Sequence, residues 1–211
     1  MNWRWKIAQA VEIRWWKNYL KNKNESAYLE WKQNYWRDFI QKTRLHFTEN
    51  ERIMEVGCGP AGIFIALPKQ QIDAVDPLIN QYEKKIAHFK KADYPKVAFF
   101  ASTFEKFGIQ EPYDKVFCLN AVNHVADLSL CFDKLAEALK PGGKLVLAVD
   151  AHNHSAFKKM FRLVPADILH PHQFELIEYC QMLLQRKLRI ENTLLYKKEF
   201  FFNYYILIAK K

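Results

Sequence analysis

The segment Glu55-Val56-Gly57-Cys58-Gly59-Pro60-Ala61-Gly62 most narrows what this chain can fold into. It follows the apolar run Arg52-Ile53-Met54-Glu55-Val56 and leads into a short helical stretch ending near Pro68, so a strand must turn sharply into a helix there. Glycine supplies such a turn because it enters positive φ at little cost and lets another group approach the backbone closely. A helix that starts beside the turn presents N–H groups with no partner of their own. Beyond it, short apolar runs alternate with helical stretches. Gln71–Val75, Lys96–Phe100, Asp114–Leu119 and Lys144–Val149 read as further strands, with helices over about Leu78–Lys91 and Leu128–Leu139. This alternation predicts right-handed crossovers and a parallel sheet covered on both faces. Leu188–Leu195 and Phe200–Ile208 follow, joined only by Tyr196-Lys197-Lys198-Glu199, and so short a link allows only an antiparallel hairpin. The fold class expected is α/β: a doubly wound, mainly parallel seven-stranded sheet with an antiparallel C-terminal hairpin and an N-terminal helical extension.

The extension, residues 1–47, reads as two helices separated at Asn22-Lys23-Asn24-Glu25-Ser26, where Asn24 or Ser26 is placed to cap the second. Tyr28, Trp31, Tyr35, Trp36 and Phe39 recur at three- and four-residue spacings, the pattern of one apolar helical face. The division expected is a helical lid over 1–47 and a Rossmann-like domain over 48–211, with a substrate-facing helical insert at about 152–186. No run of about 18 uncharged apolar residues is present to span a membrane. Charges interrupt Met1–Leu20, which denies it the apolar centre of a secretion signal. Cys58, Cys118, Cys131 and Cys180 lie far apart with no CxxC pair, which favours reduced thiols and a cytoplasmic location. The formal charge of +9 leaves an acidic partner and a merely solubilising basic surface equally open.

Taken alone, Gly57-x-Gly59-x-x-Gly62 satisfies a nucleotide-binding pattern, and Asp76 at the end of the second strand is placed to accept both hydroxyls of a ribose. Both features suit NAD and S-adenosylmethionine alike. Three others separate the two. Glu55, two residues before the first glycine, can hold the amides of the turn and would repel a pyrophosphate. Lys140-Pro141-Gly142-Gly143 enters the fifth strand as a tight turn, and a nicotinamide domain rarely ends in a hairpin.

With these segments in view, the chain resembles the class I S-adenosylmethionine-dependent methyltransferase family. The likeness rests on Ile53–Gly62, Val75-Asp76-Pro77, Tyr113–Asn120, Val122-Asn123-His124-Val125 and Leu139–Gly143, in family order and at family spacing. It covers about residues 50–150 and the hairpin. The resemblance implies S-adenosylmethionine as cofactor. It implies that Gly57, Cys58 and Gly59 line the methionine and ribose, with Glu55 behind them, and that Asp76 takes the ribose hydroxyls. Pro77 or Leu78 would pack on the adenine, Thr103 and Phe104 would meet its edge and face, and Asn120 would offer its backbone carbonyl to the methionine ammonium. Many relatives place an acidic residue near Thr103, whereas here Glu105 lies slightly late.

Methyl transfer asks a protein mainly to align acceptor, methyl carbon and sulfur, with a general base where the acceptor is a hydroxyl. His124 beyond the fourth strand and His152 and His154 beyond the fifth sit at the carboxyl edge where open α/β sheets bind ligands, and are the catalytic candidates. His170-Pro171-His172 is more remote. Two HxH pairs invite a metal, but only Asp150 offers a third ligand at a suitable spacing, so no metal is expected. The acceptor expected is a small or lipid-like molecule methylated on oxygen, nitrogen or carbon. The aromatic, cationic N-terminus also suits a membrane surface, and nothing matches a nucleic-acid-binding module. The competing readings are a nicotinamide-dependent oxidoreductase and a non-catalytic methyltransferase-fold binding protein.

Overall fold

The computed structural model describes residues 3–152, 174–200 and 202–211, with side chains from Gln9 onward. It forms two compact units, Met1–Phe107 and Gly108–Lys211.

The first unit opens with helices α1 (Trp3–Leu20) and α2 (Glu25–Thr43), followed by β1 (Arg52–Val56), β2 (Gln71–Val75), helix α3 (Ile79–Lys85) and β3 (Val97–Phe100). Asn24 is the cap of α2. Its Oδ1 accepts from the Ala27 N–H at 3.1 Å, and Ser26, the other candidate, donates its hydroxyl to the same oxygen at 2.8 Å. β2 lies between β1 and β3, parallel to both, with Ile72 opposite Ile53 on one side and Val97 on the other. β1 is buried from Ile53 onward, as a strand covered on both faces must be.

Two details of this unit differ from the sequence expectation. The helix expected to reach Lys91 ends at Lys85, because the chain turns extended at Ile86 (φ −124°, ψ 112°). That turn buries Ile86 and brings Phe89 against Phe99, with ring centroids 5.2 Å apart, and burial of this size outweighs a few residues of helix propensity. On α2, Tyr28, Trp36 and Phe39 are buried but Trp31 remains 52% exposed. Trp31 stands at the rim of the apolar stripe.

In the second unit come β4 (Tyr113–Leu119), α4 (Leu128–Glu137), β5 (Leu139–His152), α5 (Leu176–Gln185), β6 (Arg189–Lys198) and β7 (Phe202–Lys210). β4 and β5 are parallel. β7 is antiparallel to both β5 and β6 and lies between them. β5 is longer than predicted because the Pro141-Gly142-Gly143 turn is drawn into it. The Gly142 N–H donates to the Lys211 carbonyl and the Lys211 N–H to the Gly143 carbonyl, both at 3.0 Å. β6 likewise extends to Lys198, since Lys197 and Lys198 pair with Tyr204 and Asn203. Seven strands are present among the described residues, mainly parallel and with a C-terminal antiparallel hairpin, which is the doubly wound sheet expected. Of the helical stretch expected over His152–Gln185, only α5 falls within the described residues; His154, His170 and His172 lie outside them.

Candidate functional site

The glycine turn is built from its carboxylates outward. Gly57 and Gly59 take φ of +66° and +58°, the left-handed region that costs a side-chain-bearing residue about 1–2 kcal/mol. Glu55, buried on β1, spends both carboxylate oxygens on the single helical turn that follows. Oε1 accepts from the Ile63 N–H at 2.8 Å and Oε2 from the Phe64 N–H at 3.2 Å. The amides that would cradle a pyrophosphate are therefore already engaged. Burial pushes the Glu55 carboxyl up to about 8, against the pull of these two amides and of the Lys32 ammonium.

Asp76 ends β2 and performs the matching task on the other side of the turn. Its Oδ2 accepts from the Gly59 N–H at 3.0 Å and its Oδ1 from the Leu78 N–H at 2.8 Å. A carboxylate offers about four lone-pair positions, so each oxygen retains one for a further donor such as a ribose hydroxyl. Burial, and then the nearby Glu12, raise Asp76 to about 7. Cys58 is buried between the glycines, and burial drives its thiol well above the ordinary value. Pro77 is half-buried beside Leu78. Thr103 precedes the turn Phe104–Lys106, remaining partly exposed while Phe104 is buried.

Residues that no local motif announces complete this side of the unit. Helix α2 grips the glycine turn through Trp36, whose indole N–H donates to the Ala61 carbonyl at 3.0 Å, and through Gln33, which reaches the Ile65 carbonyl at 3.4 Å. Lys32 lies 4.9 Å from the Trp36 ring centroid and 5.0 Å from that of Tyr35. Burial lowers its ammonium to about 8 despite the attraction of Glu55. Helix α1 brings Trp16 to within 3.7 Å of where a Cβ on Gly59 would stand, and Glu12 to the Tyr82 hydroxyl, which donates to Glu12 Oε1 at 3.1 Å. Their only sequence signal was the aromatic spacing of the N-terminal helices.

The second unit holds the remaining sequence candidates. Asn120, just past β4, is exposed with φ +56°, and its N–H donates to the Ala148 carbonyl at 3.0 Å. His124 is exposed at the end of the turn Val122–His124. His152 is buried at the end of β5, its ring 4.4 Å from that of Phe202. A contact not foreseen links Asn123 to α5: the buried Tyr179 hydroxyl donates to Asn123 Oδ1 at 2.7 Å. No cluster of three or more His, Cys, Asp or Glu suited to a metal occurs among the described residues.

A parallel sheet with a carboxylate at the end of β2, a glycine turn locked by a second carboxylate and a reversed last strand defines a methyltransferase-type nucleoside fold. The chain belongs to the methyltransferase domain family, whose model matches residues 28–191. Among curated relatives it is 26% identical to the ubiquinone biosynthesis O-methyltransferase of Rickettsia typhi, over 62% of this chain and 53% of that protein. With the enzyme of the same name from Nitrobacter winogradskyi it shares 32% identity over 50% of this chain and 41% of the relative. The chain thus spans about half the length of the curated relatives it matches. Its fold is that of the geranyl diphosphate C-methyltransferase of Streptomyces coelicolor, solved with S-adenosyl-L-homocysteine, at TM-score 0.65 and 11% identity over 82% of this chain and 74% of that one.

Proposed function

We propose that the protein is an S-adenosylmethionine-dependent methyltransferase acting on a small or lipid-like acceptor. The observation that carries this reading is the turn between Glu55 and Asp76. Glu55 consumes the Ile63 and Phe64 amides, while Asp76 fixes Gly59 and keeps lone pairs for two hydroxyls. Such a site suits a nucleoside without a pyrophosphate, and the family match supports it. The cofactor, when bound, supplies an activated methyl group on a sulfonium. The residues contribute its placement: Gly57, Cys58 and Gly59 line the methionine and ribose, Asp76 accepts the ribose hydroxyls, and Pro77, Thr103 and Phe104 flank the adenine. From the resemblance, the Asn120 carbonyl accepts from the methionine ammonium, and His124 is the exposed candidate for a base.

For the acceptor, the reading draws on the relatives named for ubiquinone biosynthesis and on the N-terminal helices. All six tryptophans fall within the first 36 residues. Trp15, Tyr19 and Trp31 are exposed, and Lys23 lies 4.5 Å from the Tyr19 ring centroid. Aromatic rings interleaved with cations suit an anionic lipid surface, so a membrane-surface contact by a protein of the reducing cytoplasm belongs to the proposal. No described helix is long and apolar enough to cross a membrane.

The test is a calorimetric titration with S-adenosylhomocysteine, with NADH in parallel. Saturable binding of S-adenosylhomocysteine alone supports the cofactor assignment. Binding of NADH instead overturns it, and binding of neither favours a non-catalytic role.

A further inference from the structure

Asn120, the residue assigned above to the methionine ammonium, stands in a backbone conformation that needs support. Its φ of +56° lies in the left-handed region, which asparagine enters more readily than most residues but still at a cost. Such a conformation persists only where its neighbours fix it. On one side the Asn120 N–H is tied to the Ala148 carbonyl of β5. On the other, the amides of Ala121 and Val122 donate to the buried Cys118 sulfur. A third hold comes from outside the two strands: the Tyr179 hydroxyl donates to Asn123 Oδ1 at 2.7 Å.

Helix α5 makes that hydroxyl a fixed point. Glu175 and Glu178 close a capping box at its first turn, and the Phe174 carbonyl just before it accepts from the His152 N–H at 3.1 Å. At the far end Arg186 bridges to Asp133 at 2.8 Å and to the Ser129 carbonyl at 3.0 Å, both on α4. Leu183 and the Tyr179 ring are buried, and such apolar burial docks a helix without any hydroxyl. A phenol in a fully buried position costs free energy unless it is bonded. This one is bonded to a side chain of the turn that carries both Asn120 and His124. Burial, and then the nearby Asp150, raise the Tyr179 hydroxyl above its ordinary value, so it stays a donor at neutral pH.

We propose that Tyr179 is a positioning residue: through Asn123 it holds the turn 120–124 in the arrangement that presents the Asn120 carbonyl to the methionine ammonium. This rests on the cofactor and Asn120 assignments above and adds to them a residue that does not touch the cofactor. The methionine tail senses Tyr179; the adenosine, held by Asp76, does not.

The experiment compares wild type with Y179F in calorimetric titrations against S-adenosylhomocysteine and methylthioadenosine, which has the same adenosine and thioether sulfur but no amino-acid tail. Y179F is expected to lose about tenfold in affinity for S-adenosylhomocysteine, the size of one weakened hydrogen bond to a charged group, and to bind methylthioadenosine as wild type does. N123L removes the same bond from the turn side. It is expected to show the same selective loss, and it carries the test if Y179F does not fold, which unfolding midpoints report. Equal losses for both ligands, no loss for either, or failure of both variants to fold overturn the role of Tyr179 while leaving the cofactor assignment in place. Failure of wild type to bind S-adenosylhomocysteine overturns both.

Discussion

Trp36 and Ala61, 25 residues apart, are joined by a hydrogen bond of 3.0 Å from the indole N–H to the backbone carbonyl. Through it α2 holds the loop that carries Gly62 into the helical turn, so the N-terminal extension fixes the geometry of the glycine turn as well as covering it.

Replacing Trp36 with Phe keeps most of the ring contact and removes the donor. The Ala61 carbonyl is then left buried without its partner, and W36F is expected to cost about 1–3 kcal/mol. Chemical denaturation measures the loss. A variant as stable as wild type contradicts the role given to this bond.

Two buried carboxylates and one half-buried lysine give the protein an unusual dependence on pH. Glu55 and Asp76, raised to about 8 and about 7 from 4.5 and 3.8, keep protons in the folded state that the unfolded chain has already released. Stability from these groups is therefore present in acid and lost as the pH rises toward 8. Lys32, lowered to about 8 from 10.5, acts in the opposite sense: its half-buried charge is a burden below pH 8 that is relieved above it. The unliganded protein should be least stable near pH 8. Midpoints of urea unfolding from pH 4.5 to 10 test this, with E55Q expected to flatten the acid side and K32M the alkaline side.

Asp76→Ala should abolish measurable affinity for S-adenosylhomocysteine or lower it by about 100-fold or more, since two hydrogen bonds to a charged group contribute about 1.5–3 kcal/mol each. The Gly59 and Leu78 amides also lose their acceptor. Calorimetry at neutral pH is the measurement, and unchanged affinity refutes the map of the site.

At Gly62 the constraint is one of space, since its φ of −74° suits any residue. A Cβ there would meet the Glu55 carboxylate and would come within 2.7 Å of the Cys58 carbonyl. G62A is thus expected to displace Glu55 from the Ile63 and Phe64 amides and to destabilise the protein by about 1–3 kcal/mol, as overpacking does. Thermal unfolding reads the shift; a midpoint equal to wild type means that Glu55 moves aside freely.

Much of this was legible from neighbouring residues. Gly57 and Gly59 sit where a strand must turn, Glu55 and Asp76 stand at strand ends, and the alternating apolar runs reveal the sheet. Asn24 as a cap and the closing hairpin are equally local. What escaped sequence reading depends on contacts between distant residues. Nothing near Glu12 says that it meets a tyrosine 70 residues away, and nothing near Tyr179 points to Asn123. The early end of α3 follows from the burial of Ile86 and Phe89, a tertiary gain that local helix propensity does not register. Trp31 shows the same limit from the other side, since periodicity gives the stripe but not the width of what covers it.

The position of β7 between β5 and β6 has a consequence for synthesis on the ribosome. β6 is made before β7 yet has no neighbour in the sheet until β7 arrives, because β5 pairs with β7 and not with β6. The first unit has all its strands while the second still awaits β7. Until β7 emerges, β5 and β6 present unsatisfied edges of the kind that attract other chains, so the nascent protein is most vulnerable to aggregation just before that strand is released.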